Sequence, residues 1–134
     1  TGNVISSAGA MNPQIRFGED LMSRVSYSMM NSGGADEMTV AVRDGLNSLF
    51  DQVAEEAKVD KDLIMDSVFV CNPVMHHLLI GVDPFELGQA PFALTTSQSL
   101  NLFSKDFDLK KIPLFLAMVS QPIGGGIHVL KIFH

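Results

Sequence analysis

Cysteine, basic residues and long apolar runs are all scarce in this sequence, and each scarcity closes off a class of function. A single cysteine, Cys71, stands among 134 residues. That excludes an internal disulfide and any four-thiolate zinc or iron-sulfur site built from this chain alone. A reducing, cytoplasmic setting fits such usage. Nine Lys and Arg face fifteen Asp and Glu, for a formal charge of -6, and the basic residues are scattered singly apart from Lys110-Lys111. Phosphate neutralisation needs clustered positive charge, so neither nucleic acid nor an anionic membrane surface is an expected partner. Apolar runs are broken by Pro84, Pro91, Pro113 or Pro122 before any reaches the ~18 residues of a membrane span. Thr1 to Ala10 lacks both the basic start and the apolar stretch of a signal peptide.

What is present is apolar. Hydrophobic residues make up 46% of the chain and charged ones 18%, with a mean hydropathy of +0.23. The length suits one domain or a piece of one, and a small domain normally needs a more polar surface than this. Some apolar surface is therefore expected to meet another domain or subunit, a second copy of the chain included.

Along the chain, Thr1-Gly2-Asn3 reads as a turn and Val4 to Ala8 as a strand, the second half of a hairpin whose first strand would precede Thr1. This makes the N-terminus look like a truncation point. Leu21, Met22, Val25 and Met29 recur at helical spacing behind Gly18-Glu-Asp20, where acids suit the positive end of a helix dipole. A longer helix is predicted from about Asp36, as N-cap, to Lys58, with Met38, Val42, Leu46, Leu49, Phe50, Val53 and Ala57 on one stripe.

Ser67 to Cys71 reads as a strand, expected to be central, buried and parallel, packed under that helix. Val74 to Ile80 is a short helix closed by Gly81, and Asp83-Pro84 starts another. Alternation of strand and helix predicts an α/β fold. Ile112 to Val119 and Ile127 to Phe133 read as a possible hairpin around Gln121-Pro-Ile-Gly-Gly-Gly126. The glycine run is followed by strand-like residues instead of a helix, which argues against a phosphate loop. The eight methionines are expected to fill core gaps.

Two polar clusters could carry chemistry. In Asn12-Pro-Gln-Ile-Arg-Phe-Gly-Glu-Asp20, an irregular segment delivers Asn12, Gln14 and Arg16 just before a helix beginning near Glu19. Strand-to-helix junctions are where α/β proteins place ligand contacts. The plainer reading is helix capping, with Arg16 in a surface salt bridge. In Cys71-Asn-Pro-Val-Met-His-His77, Asn72 and His76 again follow a strand. Adjacent histidines diverge by roughly 100° on a helix and cannot readily share a metal, so no metal site is expected; one should face the core with its ring hydrogen-bonded. Cys71 reads as an inert small hydrophobe. No catalytic residue set is evident, as no Gly-x-Ser-x-Gly elbow occurs. If both clusters follow parallel neighbouring strands, Asn12, Gln14, Arg16, Glu19, Asn72 and His76 line one wall of a cleft.

Three stretches taken together carry a family resemblance: Ala10 to Val25, Val68 to Pro84 and Leu87-Gly-Gln-Ala-Pro-Phe92. They resemble the middle region of the reductive activators of corrinoid proteins, ATPases of the acetate and sugar kinase, heat-shock chaperone and actin superfamily. The resemblance covers about residues 1–110 and leaves 111–134 as a divergent tail. It implies a partial ribonuclease-H-like, actin-like lobe with a mixed sheet and flanking helices. It also implies a role in the ATP-dependent return of Co(II) corrinoid to Co(I) for methyl transfer, with a corrinoid protein as partner. In the family, ATP with Mg²⁺ and an iron-sulfur cluster belong to the full-length protein. Both phosphate-binding hairpins of the superfamily are missing here, so no cofactor is expected in this chain and it should not catalyse alone. The alternative is an interaction module that docks on a corrinoid protein or on a separate ATPase half.

Overall fold

The computed structural model of the chain describes residues 2–64, 67–89, 100–103, 109, 113–118 and 127–133. Strand β1, Val4–Met11, leads into a 3-10 turn at Pro13–Phe17 and then helix α1, Leu21–Met30. Asp20 caps α1, its Oδ1 accepting from the Ser23 amide at 2.7 Å, one of the donors a helix start leaves unpaired. Helix α2 runs Gly34–Ala57, starting three residues ahead of the helix that Asp36 would cap. Its N-cap is Gly33, at φ 81°. Asp36 sits inside the first turn beside Glu37, where both carboxylates meet the helix dipole. Asp36 is thus displaced as cap because Asn31 to Gly33 already turns the chain, the Gly34 amide donating to the Asn31 carbonyl at 2.9 Å.

Helix α2 realises its sequence pattern. Met38, Val42, Leu46, Leu49, Phe50 and Val53 are each no more than 5% exposed, the stripe expected of a helix lying on a core. It lies chiefly on β1, and Ser6 Oγ donates to Glu56 Oε2 at 3.1 Å across that contact. Strand β2, Ser67–Cys71, follows a short turn at Lys61–Leu63, and helix α3, Pro73–Ile80, follows directly, capped by Asn72 and closed by Gly81 in the left-handed region. The restart at Asp83-Pro84 gives only a 3-10 turn, Phe85–Gly88. Beyond it lie β3, Leu100–Phe103, β4, Pro113–Met118, and β5, Ile127–Phe133.

The strands form two small sheets. β1 pairs antiparallel with β5, while the other sheet has the order β2-β4-β3, with β2 parallel and β3 antiparallel to β4. Several expectations change. β1 has a partner strand, drawn from the far end of the chain. β4 and β5 belong to different sheets and do not form the anticipated hairpin; the Gly124-Gly-Gly126 turn lies outside the described residues. β1 and β2 are not neighbours, and β2 stands at an edge instead of the centre. Val70 is accordingly 57% exposed and Phe69 only partly buried, the latter meeting α2 through the Phe50 ring, with centroids 6.1 Å apart.

Two apolar clusters hold these elements. Val42, Leu46 and Leu49 of α2 pack with Met75, Leu79 and Leu109, and Met38 of α2 packs with Val25, Val74 and Leu78. Helix α3 contributes to both, so it is wedged between them. Met38 and Met75 fill core gaps, whereas Met11, Met22, Met29 and Met30 are between 42% and 83% exposed and do not. No helix among the described residues is long and apolar enough to cross a membrane.

Candidate functional site

The Asn12 and Asn72 segments converge on one residue, Met75. Asn12 is 2% exposed; its Oδ1 accepts from the Gln14 amide at 2.9 Å and its Nδ2 lies 3.1 Å from Met75 Sδ. Asn72, 7% exposed, caps α3 by accepting from the Met75 amide at 2.9 Å. Met75 is thus held from both sides. The meeting arises from α3 packing against the turn after β1, and not from parallel neighbouring strands as the sequence suggested.

Arg24 completes this junction, and the sequence reading passed over it. Its side chain is 1% exposed, with Nε donating to the Gly18 carbonyl at 2.9 Å, Nη2 to the Glu19 carbonyl at 3.4 Å and Nη1 3.5 Å from Met75 Sδ. Desolvation lowers its pKa, partly offset by the charge of Asp20. An arginine keeps its charge under such a shift because its ordinary pKa is so high. The signal was present: Arg24 sits three residues after Leu21 and beside Val25, on the face the periodicity assigns to the core. Gly18 is part of the same arrangement, since a Cβ there would stand 2.7 Å from Ser23 Cβ and 2.8 Å from the Arg24 amide nitrogen.

The other candidates separate. Gln14 is fully buried, its Nε2 donating to the Met38 carbonyl at 2.9 Å while Oε1 has no partner. Arg16 is exposed and lies over the Phe17 ring at 4.6 Å, a cation-π contact in place of the surface salt bridge expected. Glu19 is exposed and enters the junction only through its backbone carbonyl. His76 is fully buried with neither ring nitrogen hydrogen-bonded among the described residues, and its pKa is lowered by burial and then by the neighbouring His77; the expected core-facing, hydrogen-bonded ring is that of His77. His77 is also buried, its Nδ1 2.7 Å from the Pro73 carbonyl and its Nε2 without a partner. Cys71 is pushed up to about 12 by burial, so the thiol stays protonated and unreactive.

This arrangement can fix backbone geometry; it offers little to a ligand. The amides of Asn12 and Asn72 are committed to their own helix starts, and Gln14 is turned inward on Met38. Four of the six cleft-lining candidates, Asn12, Gln14, Asn72 and His76, are buried. Among the described residues no group of three or more His, Cys, Asp or Glu could hold a metal ion.

Comparison with known proteins gives the arrangement a family. The chain is 27% identical over 125 residues to the corrinoid activation enzyme RamQ of Eubacterium limosum, covering 93% of this chain and 21% of that protein. Its fold is similar to that of a reductive activator for corrinoid, iron-sulfur protein, with a TM-score of 0.74, 22% identity, and coverage of 91% of this chain and 22% of the other. The chain therefore spans about a fifth of the length of the relatives it matches. The model of the RACo middle region matches residues 1–127, past the 110 boundary read from the motifs and through the start of β5. The chain belongs to the RACo middle region family.

Proposed function

We propose that this chain serves as the middle region of an ATP-dependent reductive activator, which returns an inactive Co(II) corrinoid to Co(I) for methyl transfer. The observation that carries the reading is the family match over residues 1–127. Its contribution is structural. The Asn12, Arg24 and Asn72 junction locks α1 and α3 to the turn after β1, and presents the lobe as one body to the rest of an actin-like ATPase.

ATP, Mg²⁺ and an iron-sulfur cluster fit poorly among the residues present. The buried amides are spent on helix starts, and Cys71 is the sole cysteine. Those groups belong, on this reading, to other parts of a full-length cytoplasmic protein, and no step of the reaction runs through them here. A corrinoid iron-sulfur protein is the partner of the whole assembly.

The test is a chimera in which this chain replaces the matching fifth of the E. limosum relative. Retained ATP-dependent reduction of a Co(II) corrinoid, followed by visible absorption, supports the proposal; a folded chimera that hydrolyses ATP without reducing cobalt sinks it. In a separate titration the chain alone should bind no Mg-ATP at micromolar affinity. The competing reading, a free-standing docking module, draws on the exposed Met22, Met29, Met30 and Val40. Light scattering showing a strict monomer that ignores the co-expressed remainder of the relative would count against it.

A further inference from the structure

Helix α3, like α2, contributes to both apolar clusters; it also meets the Asn12–Arg24 junction through Met75, yet it carries two fully buried histidines. Their rings stand 5.8 Å apart between centroids, and three of their four nitrogens have no hydrogen-bond partner. A buried neutral imidazole tolerates this at modest cost, whereas a buried imidazolium without an acceptor does not. We propose that the His76–His77 pair makes α3 an acid-released latch: protonation of His76 frees the helix from α1 and from the turn after β1 while α2 stays folded.

Charged side chains reach α3 from two helices. From α2, Arg43 donates through Nε and Nη2 to the Leu79 carbonyl at 3.1 and 3.0 Å, placing a cation at the α3 C-terminus. From α1, Arg24 reaches Met75. β4, which also packs on α3, contains no titratable residue in Pro113–Met118. The neighbouring His77 ring further disfavours a proton on His76. Among the described residues no carboxylate is bonded to either nitrogen of His76 to compensate a new proton.

The sign follows from burial. His76 holds its proton less tightly in the folded chain than the ordinary 6.5. Its contribution to keeping α3 in place is therefore complete above 6.5 and declines as pH falls through the lowered folded value. Global acid unfolding would expose α2 as well, which distinguishes it from a latch.

Methionine oxidation and amide exchange together read the two regions. Met75 is 7% exposed on α3 and Met30, 83% exposed, reports the reagent itself; Met38 packs on Val74 and Leu78 of α3 and would be uncovered with it, so amide exchange along α2 reports whether that helix stays folded. Dilute hydrogen peroxide, which oxidises thioethers with little pH dependence, is applied to the full chain between pH about 7.5 and about 5. Sulfoxide at each methionine is counted by peptide mass spectrometry. The expected result is a rise in the Met75 rate on the order of tenfold for each pH unit between 6.5 and the lowered folded value, with amide exchange in α2, corrected for its intrinsic pH dependence, unchanged. His76→Gln, which cannot titrate, should flatten the rise. A Met75 rate indifferent to pH, amide exchange in α2 that quickens with it, or an undiminished rise in folded His76→Gln would each overturn the proposal. Should that variant fail to fold, α2 will exchange rapidly at every pH, and the contrast between Met75 oxidation and α2 exchange in the unaltered chain decides.

Discussion

Helices α2 and α3 bury similar chemistry in opposite ways. The long helix has one apolar stripe and an exposed polar face, so its orientation is dictated by periodicity. The short one buries Val74, Met75, His76, His77, Leu78 and Leu79 in succession, so nothing in its pattern selects a face. Its position is fixed instead by polar bonds at its ends. Asn72 satisfies the first turn, while Thr39 Oγ1 donates to the Leu78 carbonyl at 2.7 Å and Arg43 to that of Leu79. Those are among the carbonyls that a helix end leaves unpaired. A helix held by its core should fail gradually with lost volume, and one held by its ends should fail when a single polar partner is removed.

The largest effect expected of that contrast lies in α2. Leu49→Ala, at a side chain 1% exposed, should cost about 2 to 5 kcal/mol in urea unfolding. A loss below about 1 kcal/mol would mean that the stripe is not the main support. Next comes Arg24→Met, which keeps much of the volume but removes the bonds to the Gly18 and Glu19 carbonyls. It should cost about 1.5 to 3 kcal/mol, the range for charged hydrogen bonds. Stability equal to that of the parent chain would reduce Arg24 to a space-filler.

A smaller effect is expected at the edge strand. Phe69→Ala should fall near 2 kcal/mol, below the 3 to 5 of a fully buried ring, because Phe69 is only partly covered. Calorimetry giving the higher figure would return β2 to the interior. Asn72→Ala should cost about 1 kcal/mol through the lost cap. Amide exchange should then quicken over 73–80 before it does in α2, and a uniform change across both helices would contradict the independence of their supports. Least affected should be Met30→Gln, at 83% exposure, within about 0.5 kcal/mol of the parent.

Much of this molecule was legible without coordinates. The α1 and α2 helices, strand β2, the short helix ending at Gly81 and the family resemblance all follow from local spacing, caps and motifs. The site was legible only as two separate segments. Asn12 and Asn72 look alike in the sequence as residues before Pro, and both proved to be caps. That Asn12 also reaches Met75 depends on how α3 packs, which no residue near Asn12 specifies. Arg24 was hidden for the converse reason: a charged side chain on an apolar face is read as solvent-facing until carbonyls are found to receive it.

The sequence by itself determined where helices start and stop and which face of α2 is buried, because capping and 3.6-residue periodicity act within a few neighbours. Only the tertiary structure decided which strands pair and which polar side chains are entombed. β1 finds β5 across more than a hundred residues, and His76 loses its water because α3 is wedged between two clusters. Pairing and desolvation are properties of distant segments brought together. Their free energy exists only once the chain has closed on itself.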